Sequence, residues 1–215
     1  MAHLTDAQKR MLQTILSRGA ESASQALSRW LGEEVRLTLG DVDQVELDQA
    51  TDTLGPPETL VAACRMGLTG PIGGSIILCF QDRSGLALVD LLLGQPPGTT
   101  TDWGEVERSA AMETTNIVGC AYLNALAAHL PNGLAGRGAT GEMAPTPPVF
   151  LHEFAGSLLQ FALMDQALEL ERVLLVQTAF ETATAGGELG WTLLFVPDAP
   201  SLAALAAVLP GSEAS

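Results

Sequence analysis

The pattern of hydrophobic and polar positions divides the chain into two long helices and two groups of shorter elements. Apolar residues recur at helical spacing over residues 5–31 and again over residues 103–130, and Gly32 follows the first of these segments as a stop signal. Shorter apolar runs predict strands at residues 35–39, 45–47, 60–68, 75–80, 149–163, 173–181 and 189–196, short helices at 84–93 and 201–209, and hairpin turns at Gly73-Gly74 and Gly186-Gly187. The sequence therefore predicts a mixed α/β fold.

The elements form an internal repeat. Residues 19–28 align with residues 118–127 and share an alanine-leucine pair, and residues 77–86 align with residues 193–202. The offset is larger for the second pair of segments, which indicates an insertion in the second half. The Gly- and Pro-rich stretch 131–148 is the natural place for that insertion.

The repeat sets the expected domain organisation. We predict a single domain over residues 1–215, with its first half at 5–94 and its second half at 103–210. Each half has the order helix, strand, strand, helix. A pseudo-twofold relation between the halves would let the two long helices flank one sheet, and joining the strands would remove exposed sheet edges.

Charge and composition exclude several classes of function. The chain has 25 acidic and 10 basic residues, for a formal net charge of −15, so both nucleic acid and an anionic membrane surface are disfavoured partners. The N-terminal segment carries charges where a secretory signal would be apolar, and no apolar run approaches the roughly 20 residues that span a bilayer. We expect a cytoplasmic protein.

No residue pattern indicates a metal site or a disulfide framework. The three cysteines are far apart, and buried reduced thiols are the expected state. The three histidines are isolated and are interpreted as surface residues, and the acidic segment 41–52 lacks the spacing of a calcium loop and is interpreted as a solvated loop. These residues are Cys64, Cys79 and Cys120, and His3, His129 and His152.

The second long helix carries the most informative side chains. On a helix Ser109, Glu113 and Asn116 fall within roughly 60° of one another, whereas small apolar residues occupy the opposite side. A carboxamide can orient a water molecule, and a carboxylate can pair with a partner's Lys or Arg. The spacing alone also fits an ordinary solvated helix face.

The segment Ser109-x3-Glu113-x2-Asn116, with the following Ile-Val-Gly-Cys-Ala-Tyr-Leu-Asn-Ala-Leu126, resembles the signature of the CheC/CheX/FliY chemotaxis phosphatases, and CheC above all. Residues 67–80 and 88–94 are similar to the central hairpin and helix of that family, and residues 191–197 are similar to its last strand. The resemblance extends over almost the whole chain and implies the CheC-like fold.

The resemblance also implies an activity, namely hydrolysis of the aspartyl phosphate of a CheY-type response regulator in chemotaxis signalling. Asn116 would orient the attacking water, Glu113 would pair with the regulator's lysine, and Ser109 would support the helix or the interface. No cofactor of the chain's own is implied, because Mg²⁺ would belong to the regulator. The alternative is a non-enzymatic CheC-like adaptor that binds CheD or a component of the flagellar switch or receptor.

Two departures from the family pattern affect the expected sites. The family often repeats the Glu-x2-Asn pair in the first helix, where this chain has Thr14 and Ser17, with Arg10 at the first motif position. We therefore expect the first site to be inactive. The family's downstream proline corresponds to Gly138, and the first prolines follow at residues 145, 147 and 148, so the long loop 131–148 is expected to displace or reshape that part of the site.

Overall fold

The computed structural model describes residues 3–129, 143–163, 172–182 and 188–210. The helices in these ranges are α1 (Asp6–Leu31), α2 (Leu47–Asp52), α3 (Asp82–Leu92), α4 (Glu105–His129), α5 (Ala155–Ala162) and α6 (Ala199–Val208). The strands are β1 (Val35–Glu46), β2 (Leu60–Thr69), β3 (Gly74–Gln81), β4 (Ala144–Pro145), β5 (Val149–Phe154), β6 (Arg172–Thr182) and β7 (Glu188–Pro197).

All the strands join one antiparallel sheet. Its order is β1-β6-β7-β3-β2, and the outer edge of β2 pairs with β5 over residues 60–65 and with β4 at residues 68 and 69. Strands of the two halves pair with one another at several places, since β1 pairs with β6, β3 with β7, and β2 with both β4 and β5. The order helix, strand, helix, strand, strand, helix occurs in both halves, with β4 added in the second. Superposition of the halves, and the domain limits that the repeat implies, stay predictions.

Helices cover both faces of this sheet. Buried side chains of α1, α3, α4 and α6 form the larger hydrophobic core on one face, and those of α2 and α5 form the smaller core on the other. Both long helices therefore lie on the same face, where α1 packs against α4. None of the helices in the described ranges combines the length and the apolar character that a bilayer span requires.

Local signals account for the helix ends and turns. Thr5 accepts a hydrogen bond from the Gln8 N–H, and the Gln8 side chain accepts one from the Thr5 N–H, which makes a capping box at the start of α1. Gly32 ends that helix in the left-handed conformation at φ 71°. Gly74 has φ 128°, and an added Cβ there would collide with the Val196 carbonyl oxygen, so only glycine fits the entry to β3.

Two of the predicted elements are wrong. Residues 149–163 were expected to form one strand, but β5 ends at Phe154 and the rest is α5, because the buried positions 155, 158, 159 and 162 follow helical spacing. The acidic segment 41–52 is not a loop. It completes β1, after a shift of register between Leu39 and Val42, and then forms α2. The predicted Gly186-Gly187 turn lies outside the described residues.

Candidate functional site

The start of α4 is fixed by the chain segment that precedes it. Asp90 of α3 is fully buried, and its carboxylate accepts backbone hydrogen bonds from Gly98, Thr99 and Thr100 at 2.7, 2.9 and 3.0 Å. The buried Trp103 then donates its indole N–H to Asp82 Oδ1 at 2.7 Å. These bonds hold the linker between the two halves against α3, so α4 begins from a defined point.

Close packing on its inner side fixes the rotation of α4. Its buried residues include Ala110, Ala111, Val118 and Tyr122, the small-residue face that the sequence predicts. At the crossing with α1, a Cβ added to Gly19 would lie 2.4 Å from Cδ1 of Tyr122, closer than real Cβ atoms approach, and 3.0 Å from its Cα. The opposite side of α4 is therefore held toward the surface.

The outward side of α4 forms one wall of a shallow groove of about 470 Å³. Ser109, Glu113 and Asn116 all line it, together with Met112, so the structure brings the three sequence-predicted residues into one site. Ser109 and Glu113 are exposed and Asn116 is half-buried. No hydrogen bond or ion pair of Glu113 is found within the described part of the chain, which leaves its carboxylate available to a partner.

The other wall of the groove is a proline-rich segment that sequence reasoning did not place in the site. It consists of Pro145, Thr146, Pro147 and Pro148. The prolines restrict the backbone φ angles of this wall. The family's proline position falls at Gly138 in this chain, but three later prolines, at residues 145, 147 and 148, line the groove opposite Asn116. Gly138 and the rest of 131–142 lie outside the described residues.

Hydrogen bonds to the end of β2 hold the proline-rich wall in place. The Thr146 N–H donates to the Gly67 carbonyl at 2.8 Å, and the Gly67 N–H donates to Thr146 Oγ1 at 2.9 Å. The Thr69 hydroxyl donates to the Ala144 carbonyl at 3.1 Å. Because these contacts pair residues about 75 to 80 positions apart, no local signal in the sequence could have found them.

Asn116 has a neighbour that the sequence did not single out. The thiol of Cys120, one turn later on α4, donates a hydrogen bond to Asn116 Oδ1 over 3.6 Å. Cys120 is half-buried, not fully buried as predicted, whereas Cys64 and Cys79 are buried and free. Burial, and then the negative charge of Glu113, raise the pKa of Cys120 above its ordinary value, so the thiol keeps its proton at neutral pH.

The corresponding positions of α1 look different. Thr14 is exposed, and its hydroxyl donates to the Arg10 carbonyl of its own helix at 3.0 Å. Ser17 is half-buried. Neither side chain offers the charge of Glu113 or the reach of Asn116, and this contrast supports one candidate site rather than two.

The histidines are less isolated than predicted. His152 is half-buried, and its Nε2 lies 2.8 Å from Asp82 Oδ1. His129 contacts Arg18 and the Ala125 carbonyl, and exposed His3 lies 3.4 Å from an Nη atom of Arg172. No group of three or more His, Cys, Asp or Glu side chains arranged to hold a metal ion occurs among the described residues.

A larger cleft, of about 570 Å³, opens on the opposite face of the sheet. Its polar lining comes mainly from threonine and glutamine side chains, which include Thr38, Gln81, Gln177 and Thr192. It lies away from α4 and contains neither Glu113 nor Asn116. The cleft also has a carboxylate and carboxamides, those of Glu181, Gln81 and Gln177, but they lie on strands. The smaller groove is the better candidate because its carboxylate and carboxamide lie one turn apart on a helix whose rotation is fixed.

Comparison with solved structures identifies the fold. FliY of Thermotoga maritima superposes with a TM-score of 0.72 over 97% of this chain and 98% of that chain, at 16% identity. The FliM middle domain from H. pylori gives a TM-score of 0.67 over 95% and 99%, at 15% identity. This chain has the CheC-like fold. No protein-family model matches the sequence, so the predicted likeness is confirmed at the level of the fold.

A third structure with the CheC-like fold contains a partner. The CheX-CheY-BeF₃-Mg²⁺ complex from Borrelia burgdorferi gives a TM-score of 0.51 over 84% of this chain and 96% of that chain, at 15% identity. That structure pairs CheX with a CheY protein. At such low identity the three comparisons bear on the fold alone.

Proposed function

We propose that the protein is a phosphatase that hydrolyses the aspartyl phosphate of a CheY-type response regulator in the cytoplasm. The observation that carries the proposal is that Glu113 and Asn116 lie together on the rigid outward side of α4 and line the same shallow groove. The resemblance of the surrounding motif to the CheC/CheX/FliY phosphatases supports it, as does the CheX-CheY complex with the same fold.

The proposed reaction requires no nucleophile from this chain. Asn116 enters the regulator's active site and orients a water molecule through its carboxamide. The water oxygen attacks the phosphorus in line, the bond between phosphorus and the aspartyl oxygen breaks, and the regulator's aspartate leaves as a carboxylate. The products are inorganic phosphate and the unmodified regulator, and Mg²⁺ held by the regulator supplies positive charge to the phosphoryl oxygens.

Glu113 has a separate role in this proposal. Its exposed carboxylate, without a partner among the described residues, pairs with the active-site lysine of the regulator and sets the register of α4 in the complex. Ser109, one turn earlier, lines the same groove and supports the interface. The groove is open, so the outward side of α4 is accessible to a partner protein. A site for a small molecule would enclose its ligand more fully.

Replacement of Asn116 by alanine tests the proposal. Asn116→Ala is expected to slow hydrolysis by about a hundred- to a thousandfold, because it removes a contact made in the transition state, and to leave the affinity for the regulator nearly unchanged. The measurement is single-turnover loss of phosphate from a phosphorylated CheY-type regulator, with affinity determined separately. Wild-type turnover in Asn116→Ala would refute the catalytic role.

The second candidate is a non-enzymatic adaptor. The overlap with the FliM middle domain over 95% of this chain favours it, and the degenerate first site, with Thr14 and Ser17, is consistent with it. In this role the chain would bind CheD or a flagellar switch or receptor component. Regulator binding or CheD binding by the wild-type protein, without any acceleration of hydrolysis, would favour the adaptor.

A further inference from the structure

Arg108 is held in a fixed position beside the groove. Its Nε donates to the Trp103 carbonyl oxygen at 2.9 Å, and its guanidinium carbon lies 5.5 Å from the centre of the Phe150 ring. The Phe150 ring also packs against the Trp103 ring, with 5.0 Å between the ring centroids. One nitrogen and one face of the guanidinium group are therefore used to position it.

The rest of the guanidinium group is presented to solvent. Arg108 is exposed, and neither of its Nη nitrogens makes a hydrogen bond or ion pair within the described ranges. An arginine fixed at one nitrogen, with two donor groups left outward, loses little side-chain entropy when it binds a carboxylate. Its neighbours on α4, Glu105 and Glu107, are not paired with it.

The location of Arg108 opposes the ordinary electrostatics of a helix. It lies in the first turns of α4, where the helix dipole favours negative side chains. Ser109 and Pro148 both line the groove. Arg108 directly precedes Ser109 in the sequence, and its ring contact, Phe150, lies two residues after Pro148. Arg108 therefore stands at the edge of the groove. It is not itself part of that lining.

We propose that Arg108 is a docking residue that binds a surface carboxylate of the response regulator next to its phosphorylation site. The inference rests on the proposed function for the identity of the partner. A chain with net charge −15 would be repelled by the acidic pocket of a regulator, and a pre-positioned cation at the groove's edge offsets that repulsion and fixes the orientation of the partner.

The test is a binding titration that needs no turnover. The partner is a CheY-type regulator activated with BeF₃⁻ and Mg²⁺, and affinity is measured from 50 to 300 mM NaCl for the wild type, Arg108→Gln, Arg108→Lys and Arg36→Gln. Arg36 is an exposed arginine on β1, at the sheet edge opposite β5, and serves as the matched control. Thermal melts establish that each variant is folded.

Arg108→Gln should weaken binding about three- to fivefold at low salt and flatten the salt dependence. Arg108→Lys should recover part of the affinity because it keeps the charge, and Arg36→Gln should bind like the wild type. Unchanged affinity and salt dependence in Arg108→Gln would overturn the inference. A loss that is independent of salt and equal in both Arg108 variants would also overturn it, since that result indicates a structural role.

The outcome is separable from that of the proposed function. If Arg108→Gln binds normally while Asn116→Ala still abolishes hydrolysis, the docking role fails and the phosphatase proposal stands. If Arg108→Gln weakens binding but the wild type does not accelerate hydrolysis, the docking role stands and the phosphatase proposal fails. If the wild type does not bind the regulator at 100 µM, which is about 5.5 kcal/mol of binding free energy, both fail.

Discussion

Cys120 donates its thiol hydrogen to Oδ1 of Asn116, with 3.6 Å between sulfur and oxygen. This bond distinguishes the two ends of the carboxamide, because it turns the oxygen toward Cys120 and leaves the NH₂ group for other partners. The raised pKa of Cys120 keeps the donor protonated at neutral pH. Cys120 is therefore a positioning residue for Asn116 in the proposed reaction.

Removal of this donor should lower turnover without affecting docking. Cys120→Ala is expected to reduce the single-turnover rate about two- to tenfold, the usual range for one hydrogen bond, with the affinity for the regulator unchanged. Cys120→Ser supplies a hydroxyl donor at the same position and should stay within about twofold of the wild type. Equal rates in all three proteins would show that the bond does not orient Asn116.

Replacement of Glu113 should weaken binding of the regulator more than replacement of Asn116 does. Glu113→Gln keeps the size of the side chain but removes the charge that pairs with the regulator's lysine, so affinity should fall about three- to tenfold and depend less on salt. Glu105→Gln is the matched control, since Glu105 is exposed on the same helix but lies outside the groove lining. A change of equal size in both variants would mean that only the overall charge matters.

The first helix should contribute little to the reaction. Thr14 already uses its hydroxyl within α1, and Ser17 lacks the reach of an asparagine. The double variant Thr14→Ala, Ser17→Ala is expected to retain phosphatase activity within about twofold, with a stability change of about 0.5 kcal/mol typical of surface sites. A large loss of turnover in a folded double variant would indicate that α1 carries a second functional surface.

Asp90 should be important for stability. Its fully buried carboxylate accepts three backbone hydrogen bonds from the linker, two at Oδ2 and one at Oδ1. Asn at this position would offer a single acceptor oxygen and leave at least one of these N–H donors facing its NH₂ group. Asp90→Asn should lower the free energy of unfolding by about 1.5 to 3 kcal/mol in urea titrations. Asp102→Asn, at an exposed aspartate of the same linker, should change it by less than about 0.5 kcal/mol.

Residue spacing within single segments was enough to predict the elements whose signals are local. The apolar spacing of α1 and α4, the capping residues Thr5 and Gly32, and the continuous apolar run of β3 each depend on residues within a few positions of one another. The same spacing placed Ser109, Glu113 and Asn116 on one side of α4. Where a short apolar run could form either a strand or a helix, as at α5, local pattern was insufficient, because the exposed Phe161 extends the apolar run onto the solvent side and obscures the helical period.

Contacts between distant parts of the chain determine which residues face the groove side of α4. The proline-rich wall reaches the groove because Thr146 pairs with Gly67 at the end of β2, and Arg108 is fixed because Phe150 arrives beside it on β5. Such contacts are set by strand order and register, which depend on how the whole hydrophobic surface is buried and not on neighbouring residues. The sequence therefore specified the side chains of the candidate site on one helix, and the fold supplied the surroundings in which they act.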